Sequence, residues 1–295
     1  MKRESHKADP RSSDSDPPAA APSAQAAFAS YAAPLVDEAI EHTNAVREDA
    51  SPEALHKLRV SLRRLRSLWW AFAPLLEKGE STRQRALYQF LATAAGKTRD
   101  WDILIELLTS DDRGALGAAA DLAPKLQGAR GGAMATSRET LSNAEVKHLL
   151  REALSSASKE LNTSHERMPL RKFATQRVAT SENSLKKRMK RARRAKRSNY
   201  AAFHNVRKAG KKLRYLLEFF GPVLSGGRKR TLKRLKQIQK RFGALNDVVA
   251  SEMLLHENRA LFDGAGTGDT DAALQWLKKE RKRRMRAAAG LLRKL

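Results

Sequence analysis

The chain has 295 residues, with 58 Lys plus Arg against 32 Asp plus Glu, a net charge of +26 and a pI near 10.7, a balance that calls for a polyanionic partner. Its 41% hydrophobic residues suffice for a packed core, and the lack of cysteine excludes disulfides, thiolate metal sites and thiol nucleophiles. The longest apolar run, residues 68–76, is too short to cross a bilayer, so the expectation is a soluble intracellular protein without membrane insertion.

Residues 1–25 are Ser, Asp, Pro, Ala and Lys with almost no larger apolar side chain, and they read as a disordered tail that cannot offset its ordering entropy. Beyond them apolar residues recur at three- and four-residue spacings with few β-branched runs, so the fold class is all-α. Helices are predicted over roughly 34–48, 52–73, 82–95, 98–109 and 140–163. Pro34 and Pro52 suit first turns, Ser51 an N-cap, and Pro74 a stop. After a join near Met168-Pro169 the second set falls at roughly 181–197, 200–220, 228–242, 246–262 and 270–294, punctuated by Asn199 and Gly221-Pro222. The Gly/Ala-rich stretch 114–132 and the loop 263–268 read as connectors.

Residues 55–66, LHKLRVSLRRLR, return 148 positions later as 203–214, FHNVRKAGKKLR. A histidine and three cations keep their offsets: His56, Arg59, Arg63 and Arg66 against His204, Arg207, Lys211 and Arg214. The echo extends from Phe72-Ala73-Pro74-Leu75-Leu76 to Phe220-Gly221-Pro222-Val223-Leu224, and from Gly96 and Asp100 to Gly243 and Asp247. A duplicated bundle of about four helices fits better than a solenoid, whose periods are only about 20 to 50 residues. The predicted unit is one domain over 26–295, built from halves 26–168 and 169–295.

At about 100° per residue, Leu55, Leu58, Leu62, Leu65 and Trp69 share one arc and the four basic residues an adjacent one. Phe203, Val206, Leu213 and Leu217 divide from their cations in the same way. Charge on a helix is ordinarily a solvated face, yet here the cations border the core, recur in both halves and have few acidic residues nearby to make i, i+4 pairs. Each stripe runs about 15 Å along its helix. Two such stripes facing one cleft would make a lane suited to phosphate, with Arg pairing bidentately and Lys acting as a point charge.

The helix with His-x-x-Arg-x-x-x-basic, its Pro-terminated end and the following Gly96-Lys97-Thr98-Arg99-Asp100-Trp101-Asp102, all repeated once, resemble the CHAD family of conserved-histidine α-helical domains. The resemblance covers about residues 28–295. It implies two helical bundles related by a pseudo-twofold axis around a central basic groove that binds inorganic polyphosphate, and association with polyphosphate granules in the bacterial cytoplasm. Carried over by motif position, the contacts are His56, Arg59, Arg63, Arg66, His204, Arg207, Lys211 and Arg214, joined by Lys97 and Arg99, and the further cations Lys233 and Lys240 are added as candidates. Gly243-Ala244-Leu245-Asn246-Asp247-Val248-Val249 lacks the Arg and the final Asp of its counterpart, and Asp100 and Asp247 read as helix-terminal or Arg-orienting residues.

Other chemistries find little footing. His165-Glu166 and His256-Glu257 lack the second His of the zinc-protease helix, and Gly96-Lys97-Thr98 has Leu91 where a P-loop needs Gly. No metal, cofactor or nucleophile is expected, so the chain reads as a binding protein and not an enzyme; a phosphohydrolase using His56 and His204 is the weaker enzymatic reading. Nucleic acid is the alternative polyanion, although 6% aromatic residues, mostly on apolar arcs, offer no stacking platform.

Overall fold

The computed structural model describes residues 22–49, 51–109, 122–196, 198–262 and 267–294. Among these residues the chain forms α1 (Ala24–Glu48), α2 (Pro52–Phe72), α3 (Lys78–Ala94), α4 (Lys97–Thr109), α5 (Leu122–Asn143), α6 (Val146–Thr163), α7 (Leu170–Arg194), α8 (Tyr200–Phe220), α9 (Lys229–Glu257) and α10 (Thr267–Lys294). The fold is all-α. No strand occurs among the described residues, only an isolated bridge between Ser23 and Pro169.

The two motif helices begin and end alike. Ser51 Oγ accepts from the Ala54 N–H at 3.3 Å ahead of Pro52, and Asn199 Oδ1 accepts from the Ala202 N–H at 3.1 Å. Each helix then tightens into a single 3-10 turn, Ala73–Leu75 or Gly221–Val223, because Pro74 and Pro222 cannot continue the α-helical ladder. Phe72 and Phe220, the last α-helical residues, meet with ring centroids 5.7 Å apart. Phe173 joins them at 5.3 and 5.9 Å, and Tyr31 at 6.1 and 5.8 Å. The echoed Phe-x-Pro endings are thus where the two halves of the sequence fuse into one core.

That core draws buried side chains from α1 to α3 and α5 to α10. A second, smaller core gathers Trp101, Leu104 and Leu108 of α4, Leu122 and Leu126 of α5, Val248 and Leu255 of α9, Phe262, and Leu274 and Leu277 of α10. Helix α2 packs between α1 and α3 and touches α8, while α8 packs between α7 and α9. Helix α4 lies against both α5 and α9. The start of α1 is tied to the start of α7 by the Ala24 N–H to Met168 C=O bond at 2.7 Å and the Leu170 N–H to Pro22 C=O bond at 3.1 Å.

Several boundaries differ from expectation. Helix α1 begins at Ala24, ten residues before the predicted 34, because Ala24, Ala27 and Phe28 are buried and Ser23 Oγ caps Ala26 N–H at 3.1 Å. The expected disordered tail therefore ends short of residue 24, and its residues 1–21 lie outside the described residues. The predicted connector 114–132 is helical from Leu122; its earlier part lies outside the described residues. Packing overrides its glycines, since Leu122, Leu126, Ser137 and Leu141 are buried and Ser137 Oγ donates to the Ala94 carbonyl at 2.7 Å. Helix α7 starts at Leu170 instead of 181, with Phe173, Ala174 and Val178 buried. Helix α9 runs unbroken through Gly243, held by buried Phe242, Leu245, Val248 and Val249 on both sides of it. Of the predicted loop 263–268, residues 263–266 lie outside the described set and 267–268 belong to α10.

Candidate anion-binding trough

Helix α2 divides as its pattern requires: Leu55, Leu58, Leu62, Leu65 and Trp69 are buried, and Arg59, Arg63 and Arg66 on the neighbouring arc are half-buried. Helix α8 buries Phe203, Val206, Leu213 and Leu217 and leaves His204, Arg207, Lys211 and Arg214 half-buried. The Gly96 motif is a socket for Arg59. A methyl group at position 96 would stand 3.0 Å from Arg59 Nε and 3.2 Å from its Cζ, and Asp100 Oδ1 lies 3.6 Å from the guanidinium. An alanine there would force that guanidinium to give way by a few tenths of an ångström against the turn between α3 and α4. Asp247, at the equivalent place on α9, stands beside Arg207 and partly offsets its burial among cations.

The two stripes converge. Lys211 has its pKa pushed down from 10.5 to about 6, first by burial and then by Arg63, Arg207, Arg214 and Arg59, two of which come from α2. Arg63 and Lys211 are repeat equivalents, so the twin helices face each other at their matching centres. Burial, more than any neighbour, lowers the proton affinity of Arg59 and Arg207. Arg207 Nε is buried without a hydrogen-bond partner among the described residues.

The histidines differ. His56 has its pKa lowered by burial, then by Arg99, Arg59 and Arg63. His204 is lowered by burial, Lys208 and Arg207, but it is also held: the Tyr200 hydroxyl sits 3.2 Å from His204 Nδ1 and donates to Asn246 Oδ1 at 3.0 Å. With its proton directed to Asn246, the hydroxyl accepts from His204 Nδ1–H, which fixes the imidazole orientation. Position 52, equivalent to Tyr200, is Pro, so His56 has no such partner.

Two carboxylates sit among the cations. Asp100 keeps about half of its side chain in solvent (51%), yet its pKa is raised, first by the protein atoms that exclude water around it, against the pull of Arg59, with Asp247 adding repulsion. Asp247 is raised likewise by burial and pulled back by Arg207. The result is a cluster of excess positive charge on the facing arcs of α2 and α8, in which Asp100 and Asp247 each partly offset a central Arg while burial and neighbouring cations dominate at Lys211.

The family model for the CHAD domain matches residues 30–256. The chain belongs to the CHAD domain family. Among solved structures it is similar to the CHAD domain from the plant Ricinus communis, with 25% identity and a TM-score of 0.77 over 94% of this chain and 93% of that one. In fold it is also similar to PptA from Streptomyces chartreusis, with 18% identity and a TM-score of 0.62 over 92% of this chain and 98% of that one. No curated protein matches the chain.

In this CHAD domain the remaining candidates are spread more widely. Arg99 stands by His56 and lies 3.6 Å from Glu106, and Lys97 is exposed at the start of α4. Arg66 continues the α2 stripe toward Arg85 of α3. Arg214 touches Lys211's environment but is paired with Glu218 at 3.1 Å. Lys233 and Lys240 are exposed on α9 and have no interaction with the trough among the described residues. Asp102, the closing Asp of the first Gly motif, accepts from Arg130 Nε at 2.6 Å and ties α4 to α5 away from the trough. Tyr200, Asn246 and Lys212 were not singled out by sequence; the first two could have been found by reading four residues before His204 and one before Asp247. No group of three or more His, Asp or Glu is placed to hold a metal, and no helix is long and apolar enough to cross a membrane, among the described residues.

Proposed function

We propose that the CHAD trough binds inorganic polyphosphate by electrostatics and charge-assisted hydrogen bonds, without catalysing a reaction. The observation that carries the reading is Lys211, half-buried among Arg59, Arg63 and Arg207 from two facing helices with its pKa pushed down to about 6. Such crowding costs folding free energy that a bound anion would return. A linear phosphate chain supplies one acceptor group after another along the stripes, which orthophosphate cannot. Arg59 and Arg207 hold the chain bidentately, positioned by Asp100 and Asp247. Lys211, Arg63 and the two histidines add charge between them, and the histidines act as ligands and not as phosphoryl carriers.

The reading takes residues 26–295 as one domain whose halves, 26–168 and 169–295, stand about a pseudo-twofold axis through the Arg63 and Lys211 pair. It also places the protein on polyphosphate granules in cells that make them. Titration against long-chain polyphosphate, orthophosphate and duplex DNA at physiological salt tests it. The expected outcome is affinity that increases with phosphate chain length, exceeds that for DNA, and comes without orthophosphate release in Mg²⁺ or Mn²⁺. Equal affinity for all three anions, or steady release of orthophosphate, contradicts it.

A further inference from the structure

The two ends of the trough are not alike. In the second half Arg214 has its counter-ion in Glu218 at 3.1 Å, and Arg64, the equivalent of Lys212, has Glu38 at 2.9 Å. Each of these two cations thus has a carboxylate of its own. At the other end the residue equivalent to Glu218 is Trp70, so Arg66, the equivalent of Arg214, loses its acidic partner. Instead the Trp70 ring carries two cations: Arg177 Cζ and Lys212 Nζ both lie 4.7 Å from its centroid. Arg177 is further occupied by the Ala71 and Trp70 carbonyls, each at 2.8 Å, and so is a structural cap for α2.

Four cations remain there without an ion pair among the described residues: Arg66, Arg85, Arg188 and Lys212. They come from α2, α3, α7 and α8. Arg188 Nε reaches only Ser184 Oγ at 3.3 Å, and Arg85 Nε is buried with no hydrogen-bond partner among the described residues. Burial lowers the Lys212 pKa first, followed by Arg85, Arg188, Arg66 and Arg177. Arg66 is the junction, since it feels both Arg85 at this corner and Arg63 in the trough.

We propose that Arg66, Arg85, Arg188 and Lys212 form a second anion subsite that receives the polyphosphate chain as it leaves the trough, at this end only. The inference rests on the polyphosphate reading and adds a direction to it: the chain runs from the Arg59 and Arg207 centre over Arg66 and onto the Trp70 corner, while Glu38 and Glu218 turn it away. Lys212 exchanges the Trp70 ring for phosphate when the chain arrives, so Trp70 reports occupancy.

The test compares wild type with Arg85→Gln plus Lys212→Gln, and with Lys147→Gln plus Lys159→Gln as an equal charge loss on exposed α6 positions. Each is titrated with long-chain polyphosphate and with tripolyphosphate, helicity being checked by circular dichroism. The corner variant should bind the long chain about tenfold more weakly, with the salt slope reduced by about one to two units, at roughly 0.7 to 0.9 for each phosphate no longer neutralised. Tripolyphosphate affinity should stay within about twofold, and the control should change neither. Tryptophan emission should respond to the long chain and lose that response in Trp70→Phe. An unchanged long-chain affinity in the corner variant, an equal loss in the control, or an equal loss for tripolyphosphate overturns the subsite and leaves the trough standing. A wild type that fails to prefer long chains removes both readings.

Discussion

Lys211 carries the heaviest electrostatic load in the molecule, and its protonation gives the site a pH dependence of predictable sign. With a free-state pKa of about 6 it is mostly neutral at pH 7.5, and a bound polyanion favours its charged form. Binding therefore takes up a proton, and affinity should rise as pH falls from 8 toward 6. Protonation of Asp100 and Asp247, whose pKa values are raised by burial, removes negative charge from the trough and acts in the same direction. Folding of the free protein has the opposite sign: between pH 6 and 10.5 the unfolded chain holds the Lys211 proton that the folded chain has lost, so this residue's contribution to stability falls as pH falls through that window. Replacing Lys211 by Arg, charged at every accessible pH, should flatten the binding profile between pH 6 and 8 at least in part. Isothermal titration in buffers of different ionisation enthalpy measures the proton uptake directly. An unchanged proton count in Lys211→Arg would show that Lys211 is not the titrating group.

At the scale of elements, one motif is used in two ways. In the first half Gly96 breaks α3 from α4 and opens the socket for Arg59; in the second, Gly243 lies inside the continuous α9, where an added methyl would meet nothing within 4 Å. Gly96→Ala should displace the Arg59 guanidinium and weaken polyphosphate binding several-fold. Gly243→Ala should leave binding unchanged and stabilise the helix by up to about 1 kcal/mol. A thermal melt and a binding titration on both variants separate the two, and equal binding by both would remove the socket. This asymmetry also marks what could be read in advance. Helices α2 and α8 were legible because their apolar and basic arcs repeat at fixed offsets, whereas the pairing of Arg63 with Lys211 emerged only from the packing of the two helices. Helix α5 was not legible, because its glycines and alanines show a weak periodicity and its helicity comes from packing on α4 and α3. The Trp70 corner was illegible for a similar reason: Arg85 and Arg188 reach it only through the packing of α3 and α7 around α2 and α8.

For the whole molecule, a net charge of +26 would attract any polyanion, so total charge alone does not distinguish a trough from a basic surface. What distinguishes them is position. Arg59 and Arg207 are half-buried, each beside its Asp, whereas Lys57 and Lys208 are exposed on the same two helices, with Lys57 paired to Glu53 at 2.9 Å. The most direct measurement is polyphosphate affinity at fixed salt in Arg59→Gln plus Arg207→Gln against Lys57→Gln plus Lys208→Gln, two variants of identical net charge. A shared trough predicts a loss of about tenfold or more in the first, since each charge-assisted hydrogen bond is worth roughly 1.5 to 3 kcal/mol, and less than about threefold in the second. Equal losses in the two variants would mean that the chain is held by overall charge and that the trough is not its site.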